Sequence, residues 1–247
     1  MFRRSIVAAV AAMALVGAAL FGSTDSALAH ECNPWRTTLA YVHEVWLSGS
    51  AGNVKAATAV VRAEDAYTPH GPSESSIMMQ NGIAYIQAGF RNDPSYSGPR
   101  LWAQTRGNNG TVNDFIAGVG GTPASPVGIT EGNNYAIEIA YDYPNSSWFQ
   151  VKINGVVWFG SYFSGGMGVA TNPVLNAGVA GGVNNQAMGT AYNLAYTVAA
   201  QWYNGTNWVT FSGVYFTTNT NSTVINYSFV GGGNYLYTTD GSTSCQY

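Results

Sequence analysis

The side chain best placed to do chemistry is Gln87, in the run Ile83-Ala84-Tyr85-Ile86-Gln87-Ala88-Gly89-Phe90. A glutamine amide can donate a hydrogen bond to an oxyanion, but it takes no proton from water at neutral or acid pH. Hydrolysis would need a carboxylate or an imidazole beside it. Other familiar arrangements fail on spacing. His43-Glu44 begins a zinc-protease motif, yet Leu47 stands where the second histidine belongs. The three histidines, His30, His43 and His70, are not at ligand spacing from one another, so no metal is expected. There is no Gly-x-Ser-x-Gly elbow. The glycine-rich stretch at residues 178–189 lacks the spacing of a dinucleotide or phosphate loop, and no cofactor is expected. Glycoside hydrolysis needs two carboxyl groups across a sugar, and no pair stands out. Glu138 is a second candidate, alternating with neighbours that face Gln150 and Lys152. The competing reading of these three is a solvated face with cross-strand charge pairing.

The elements that must position these groups read as strands. In the Gln87 run, Ile83, Tyr85, Gln87 and Gly89 share one face, and Ala84, Ile86, Ala88 and Phe90 the other. Neither face is cleanly polar, so both should be partly buried and Gln87 should have partners. Asn81-Gly82 predicts a hairpin turn ahead of it, after a short strand at residues 75–79. Further strands are expected at residues 39–47, 54–63, 100–106, 135–141, 148–153 and 156–159. Asn154-Gly155 has the chemistry of a type I′ turn. Residues 194–202 and 208–211 predict another hairpin about Asn204-Gly205, and strands near 224–229 and 235–237 complete the chain. Many short strands with turns every ten or so residues imply an all-β, two-sheet antiparallel sandwich or jelly roll.

Residues 1–29 read as a secretory signal peptide: Arg3-Arg4, an apolar stretch rich in alanine, and a small-x-small end at Ala27-Leu28-Ala29. The remaining chain, residues 30–247, is expected to be secreted as one domain. No later apolar run approaches the roughly 20 residues of a membrane span. Removing Arg3, Arg4 and Asp25 leaves seven basic and eleven acidic side chains, a net charge of −4 with no basic cluster. Nucleic acid is therefore not an expected partner. Cys32 and Cys245 lie at the two ends of the mature chain and are expected to pair in an oxidising compartment, the alternative being two free thiols. Such a bridge closes a loop of about two hundred residues, worth about 5 kcal/mol by chain entropy.

The ordered series Ser76-Ile77, Ile86-Gln87-Ala88-Gly89-Phe90, Pro94 and Pro99-Arg100-Leu101-Trp102 resembles the C-terminal domain of the neprosin family, whose pattern runs Ser-x-Ile, Ile-Glu-Ala-Gly-Trp, Pro, Arg-Leu-Phe. Tyr135-Ala136-Ile137, Trp148 and Val156-Val157-Trp158-Phe159 are similar to its central hairpin, and Gly181-Gly182 with Met188-Gly189 to its Gly-Gly-Glu … Gln-Met-Gly segment. The likeness spans residues 75–191. More distantly, the chain resembles the eqolisin peptidases, which share this kind of concanavalin-like sandwich and carry a glutamine at the corresponding place.

The resemblance implies a glutamic endopeptidase that cuts after proline with two glutamates. The first falls on Gln87. The second should follow Gly181-Gly182, where Val183 stands, and no Asp or Glu occurs between Asp142 and Asp240. Three functions follow. The leading one is a non-catalytic peptide- or glycan-binding pseudoenzyme whose groove uses Tyr85, Trp102 and Gln186. The second is an altered proline-directed endopeptidase with Gln87 as oxyanion donor and a carboxylate from Glu138, Glu44 or Glu64. The third is a structural or surface protein.

Overall fold

Short β-branched and aromatic runs broken by glycine, proline and asparagine favour strands. The computed structural model describes residues 40–46, 53–63, 73–93, 95–179, 195–211, 214–219, 225–230 and 235–240, and among these it has fifteen strands and no helix. They are β1 (Ala40–Trp46), β2 (Ala56–Arg62), β3 (Ser73–Asn81), β4 (Ala84–Asn92), β5 (Arg100–Arg106), β6 (Val112–Ile116), β7 (Asn134–Tyr141), β8 (Trp148–Ile153), β9 (Val156–Tyr162), β10 (Asn172–Val179), β11 (Ala195–Tyr203), β12 (Trp208–Thr210), β13 (Val214–Asn219), β14 (Ile225–Val230) and β15 (Tyr235–Asp240). One sheet has seven strands in the order β13-β1-β10-β3-β4-β5-β6. The other has eight, in the order β14-β15-β11-β2-β7-β8-β9, with β12 paired to β11. Among the described residues every strand pairing is antiparallel, as a sandwich of the expected class requires.

Alternation sends one face of each sheet into a shared core. Ile77, Met79, Ile86, Ala88, Phe90, Leu101 and Ala103 from the first sheet meet Ala59, Val61, Ile137, Ile139, Phe149, Val151 and Ile153 from the second. Phe90 and Tyr135 pack across the interface with ring centroids 5.3 Å apart. One polar contact crosses with them: Ser75 Oγ and Thr197 Oγ1 are 3.0 Å apart and buried.

The strand carrying Gln87 starts one residue later than expected. Asn81 pairs with Ala84, so Gly82-Ile83 forms the turn, with Gly82 at φ 58° and Ile83 57% exposed. The core sets this register, because Ala84, Ile86, Ala88 and Phe90 must all point inward. The Asn154-Gly155 turn is as expected, with both residues at positive φ between paired Ile153 and Val156. Strands β6, β10 and β13 were not expected. Val112-Asn113-Asp114-Phe115-Ile116 has no alternation, and Pro173 argues against an interior strand. Pro173 is tolerated because the β1–β10 pairing ends at Val45–Val174, so no ladder bond to β1 is lost there. Residues 1–29, Cys32, Cys245, Glu64, Val183 and Gln186 lie outside the described residues.

Gly89 has a specific packing role. A Cβ built there would lie 2.0 Å from the Ser75 carbonyl oxygen and 2.7 Å from Ser76 Cα, both backbone atoms of β3 that cannot step aside. Gly89→Ala should therefore destabilise the fold by about 3 kcal/mol, read as a lower urea midpoint at unchanged slope.

Candidate functional site

Residues directly opposite in an antiparallel pair share a face. On the outer face of the seven-stranded sheet, Gln87 on β4 stands opposite Gln104 on β5, and Gln104 opposite Asp114 on β6. The next row holds Ser76, Gly89, Trp102 and Ile116, and the one beyond it Glu74, Arg91 and Arg100. Gly89 puts no side chain on this face between Ser76 and the Trp102 indole.

The polar groups are tied into one network. Gln87 Nε2 donates to Gln104 Oε1 at 3.0 Å, and Tyr85 Oη donates to the same oxygen. Gln104 Nε2 donates onward to Asp114 Oδ1 at 2.8 Å. That oxygen also accepts from Trp102 Nε1 at 3.0 Å and from Arg91 Nη1 at 3.3 Å. Three donors on one oxygen fix the carboxylate's orientation and leave Oδ2 for water or a ligand. The Arg91 guanidinium lies over the Trp102 ring, 5.6 Å from its centroid, and its Nη1 is 3.9 Å from Glu74 Oε1. Two carboxyl groups, from β3 and β6, thus flank a single guanidinium nitrogen.

Burial separates these two acids. The Asp114 side chain is 43% exposed, while Glu74 is 8% exposed. Desolvation pushes the Glu74 carboxyl up to about 7, against the pull of the Arg91 charge and with a smaller push from Asp114. Burial likewise raises the Tyr85 phenol, and the nearby Glu74 charge adds to that rise. Beside Glu74, Ser76 Oγ is fully buried with no hydrogen-bond partner among the described residues. A buried hydroxyl left without a partner is costly.

Of the residues singled out from sequence, Gln87, Tyr85 and Trp102 come together here. Trp102 is fully buried, so it braces Asp114 and does not offer an open ring face. Glu138 is elsewhere. It lies on β7 in the other sheet, where its Oε1 accepts from Lys152 Nζ at 2.6 Å. This is the cross-strand charge pair weighed against a catalytic role. Glu44 on β1 is in register with Leu175 and Phe216, one position out of phase with the Gln87 face. Sequence reasoning missed Glu74, Arg91, Gln104 and Asp114. One signal was available: reflecting β4 through the Gly82 turn places Glu74 opposite Arg91 as a cross-strand charge pair.

The architecture has solved counterparts. Scytalido-glutamic peptidase bound to a transition state analog inhibitor matches with a TM-score of 0.58 at 14% identity, covering 82% of this chain and 100% of that one. SCP-B, an eqolisin-family peptidase in complex with the tripeptide Ala-Ile-His, matches with a TM-score of 0.52 at 10% identity, covering 83% and 100%. The likeness is one of fold. No family model matches the chain, and no curated protein sequence matches it.

The raised pKa of Glu74 has a definite sign for stability. The folded state holds this proton more tightly than the unfolded chain does. The benefit is complete below about pH 4.5 and is lost as pH rises through about 7. Urea melts at pH 4.5 and pH 8 should show wild type losing on the order of 3 kcal/mol more than Glu74→Gln over that interval. Equal pH slopes in the two proteins would mean that Glu74 is ionised in the fold.

Proposed function

We propose that the outer face of the seven-stranded sheet is a hydrolytic site for peptide bonds, an altered glutamic-type endopeptidase in which acids on β3 and β6 stand in for the missing family glutamates. The observation that carries this reading is the pair of carboxyl groups on Arg91 Nη1, one buried and holding its proton to about pH 7, the other partly exposed, linked by amides to Gln87. Environments that drive two acids apart in this way assign them opposite roles. The neprosin resemblance supports it by placing Gln87 at the first catalytic glutamate. The fold likeness supports it through peptidases solved with a transition state analog and with a tripeptide.

In this reading the Asp114 carboxylate takes a proton from water as its oxygen bonds to the scissile carbonyl carbon. The developing oxyanion is received by amide N–H groups of Gln87 and Gln104. Protonated Glu74 donates to the leaving nitrogen as the carbon–nitrogen bond breaks. Arg91 keeps the two carboxyl groups near one another without forcing both to ionise.

A second reading rests on a different observation. Gln87 is 4% exposed and its amide is committed to Gln104, which suits a secreted protein that holds a peptide or glycan on this face without cutting it. One experiment separates the two. Purified protein is incubated with an unfolded, proline-containing substrate from pH 3 to pH 8, beside Asp114→Asn, Glu74→Gln and Gln87→Ala. Hydrolysis predicts cleavage that declines as Glu74 ionises near neutrality, with each variant reducing kcat/KM by about 100-fold or more. No cleavage at any pH, with peptide binding retained, would sink the hydrolase and leave the holding function.

A further inference from the structure

The solvent face of the eight-stranded sheet, on the far side of the core from Gln87, carries a cleft of about 660 Å³. Its floor is built of small side chains. Gly160, Gln150, Ala140, Ala56 and Tyr203 lie in one register row from β9 through β8, β7 and β2 to β11. Aromatic rings stand at both ends. At one end the Trp148 indole lies across Gly160: a Cβ there would meet Nε1 at 3.0 Å and Cζ2 at 3.2 Å. Trp148 nevertheless remains 48% exposed, so glycine beneath it turns the ring into a supported platform open to solvent. At the other end Tyr203 and Trp208 pair with centroids 5.4 Å apart. Tyr203 faces outward because of a bulge: Ala199-Ala200 oppose the single residue Ala59, and Ala199 takes a positive φ of 53°. The bulge reverses the alternation, sending Trp202 into the core and Tyr203 to the cleft.

The polar groups between these platforms are mostly acids and amides. Asp142 is held by Asn145 Nδ2 at 2.9 Å and Ser146 Oγ at 3.0 Å. Both lysines that line the cleft are engaged, Lys152 with Glu138 and Lys55 with the Tyr143 carbonyl. Lys152 is neutralised by Glu138, and the charge of Lys55 falls on Asp142, so the described lining carries two cations and two anions and offers an anionic ligand no net positive charge. An extended peptide gains its affinity from unpaired strand edges. The cleft instead lies over β2, β7 and β8, which are paired on both sides. The chemistry that fits is a neutral ring with one apolar C–H face and many hydroxyls. The C–H face packs on the negative face of an aromatic ring, and the hydroxyls pair with carboxylate and amide groups.

We propose that this cleft binds a neutral oligosaccharide, with Trp148 and the Tyr203–Trp208 pair as stacking platforms for separate sugar rings. From β8 to β12 is four strand spacings, about 19 Å, so the ligand spans several units. The site is separate from the proposed hydrolytic face and does not depend on it.

The test uses isothermal titration and tryptophan fluorescence with cellotetraose, xylotetraose and chitotetraose. Decaproline and a short polygalacturonate serve as peptide and anionic probes. At least one neutral tetrasaccharide should bind with a Kd below 1 mM and perturb tryptophan emission. Trp148→Ala should weaken it at least tenfold. Trp148 is a surface side chain, so this variant should keep wild-type thermal stability, and Gly160→Ala, whose Cβ presses on the indole and on the Phe149 carbonyl oxygen at 3.0 Å each, provides a second check with a loss in the same direction, read beside its own melting temperature. Cleavage of peptide substrate by wild type should be unchanged in Trp148→Ala. Failure of all three neutral sugars, affinity indifferent to Trp148, or decaproline or polygalacturonate binding in their place overturns the proposal.

Discussion

A strand side chain has two directions, and the β3–β4 hairpin commits one of them to the core. Once Ile77, Met79, Ile86, Ala88 and Phe90 point inward, the outward row is no longer open to choice. Glu74, Ser76 and Met78 on β3 and Gln87, Gly89 and Arg91 on β4 must then share the outer side of the sheet, away from the core between the sheets. A slip of one residue would carry Gln87 and Arg91 into the core between the sheets and move five apolar side chains out of it. The hydrophobic core, not any polar contact, is what places the candidate chemistry. The exclusion of a Cβ at Gly89 adds a second lock, since the two backbones approach too closely there for any other residue.

Within that constraint the polar network is organised by exposure. Glu74, Asp93 and Asp114 stand 3.9, 3.7 and 3.3 Å from the Arg91 guanidinium, and one positive charge cannot neutralise all three, so the others must hold a proton or face water. Glu74 is the buried one and keeps its proton; Asp114 is the one that water reaches. The amides of Gln87 and Gln104 fit this arrangement because each carries both a donor and an acceptor. Gln104 accepts from Gln87 and Tyr85 and donates to Asp114, giving the relay a single direction. The network has gaps: Ser76 Oγ and Arg91 Nε, both on this face, are buried without a partner among the described residues.

Much of this was legible in the chain. Tyr135–Tyr141 and the Asn154-Gly155 hairpin carry their alternation and turn chemistry openly, and the structure follows them. The face partition of the Gln87 strand was legible too, as was its need for amide partners. What was not legible has a common cause. Glu74 lies before the apolar part of β3, so a strand read from hydrophobic alternation begins one residue too late to include it. Asp114 belongs to an edge strand whose exposed side places no demand on composition, and Val112–Ile116 therefore shows no period. Side chains that meet only through cross-strand pairing leave no mark in local sequence, because their separation along the chain is set by turns and loops. Glu74 and Asp114 are forty residues apart and meet at one nitrogen.

The same geometry bears on what the missing glutamates mean. Val183 stands where the resemblance asks for the second acid, and a search along the chain from that point finds none before Asp240. A sheet face does not supply groups along the chain, however. Any outward position on an adjacent strand within a side chain's length of Gln87 can bring a carboxyl group to it, and long side chains on diagonal positions reach as well. Here β3 and β6 bring two carboxyl groups to the face from either side, bridged to β4 by Arg91. Of the two, Glu74 is the one whose carboxyl is pushed up to about 7, and that shift comes from burial under the fold and not from the identity of the residue.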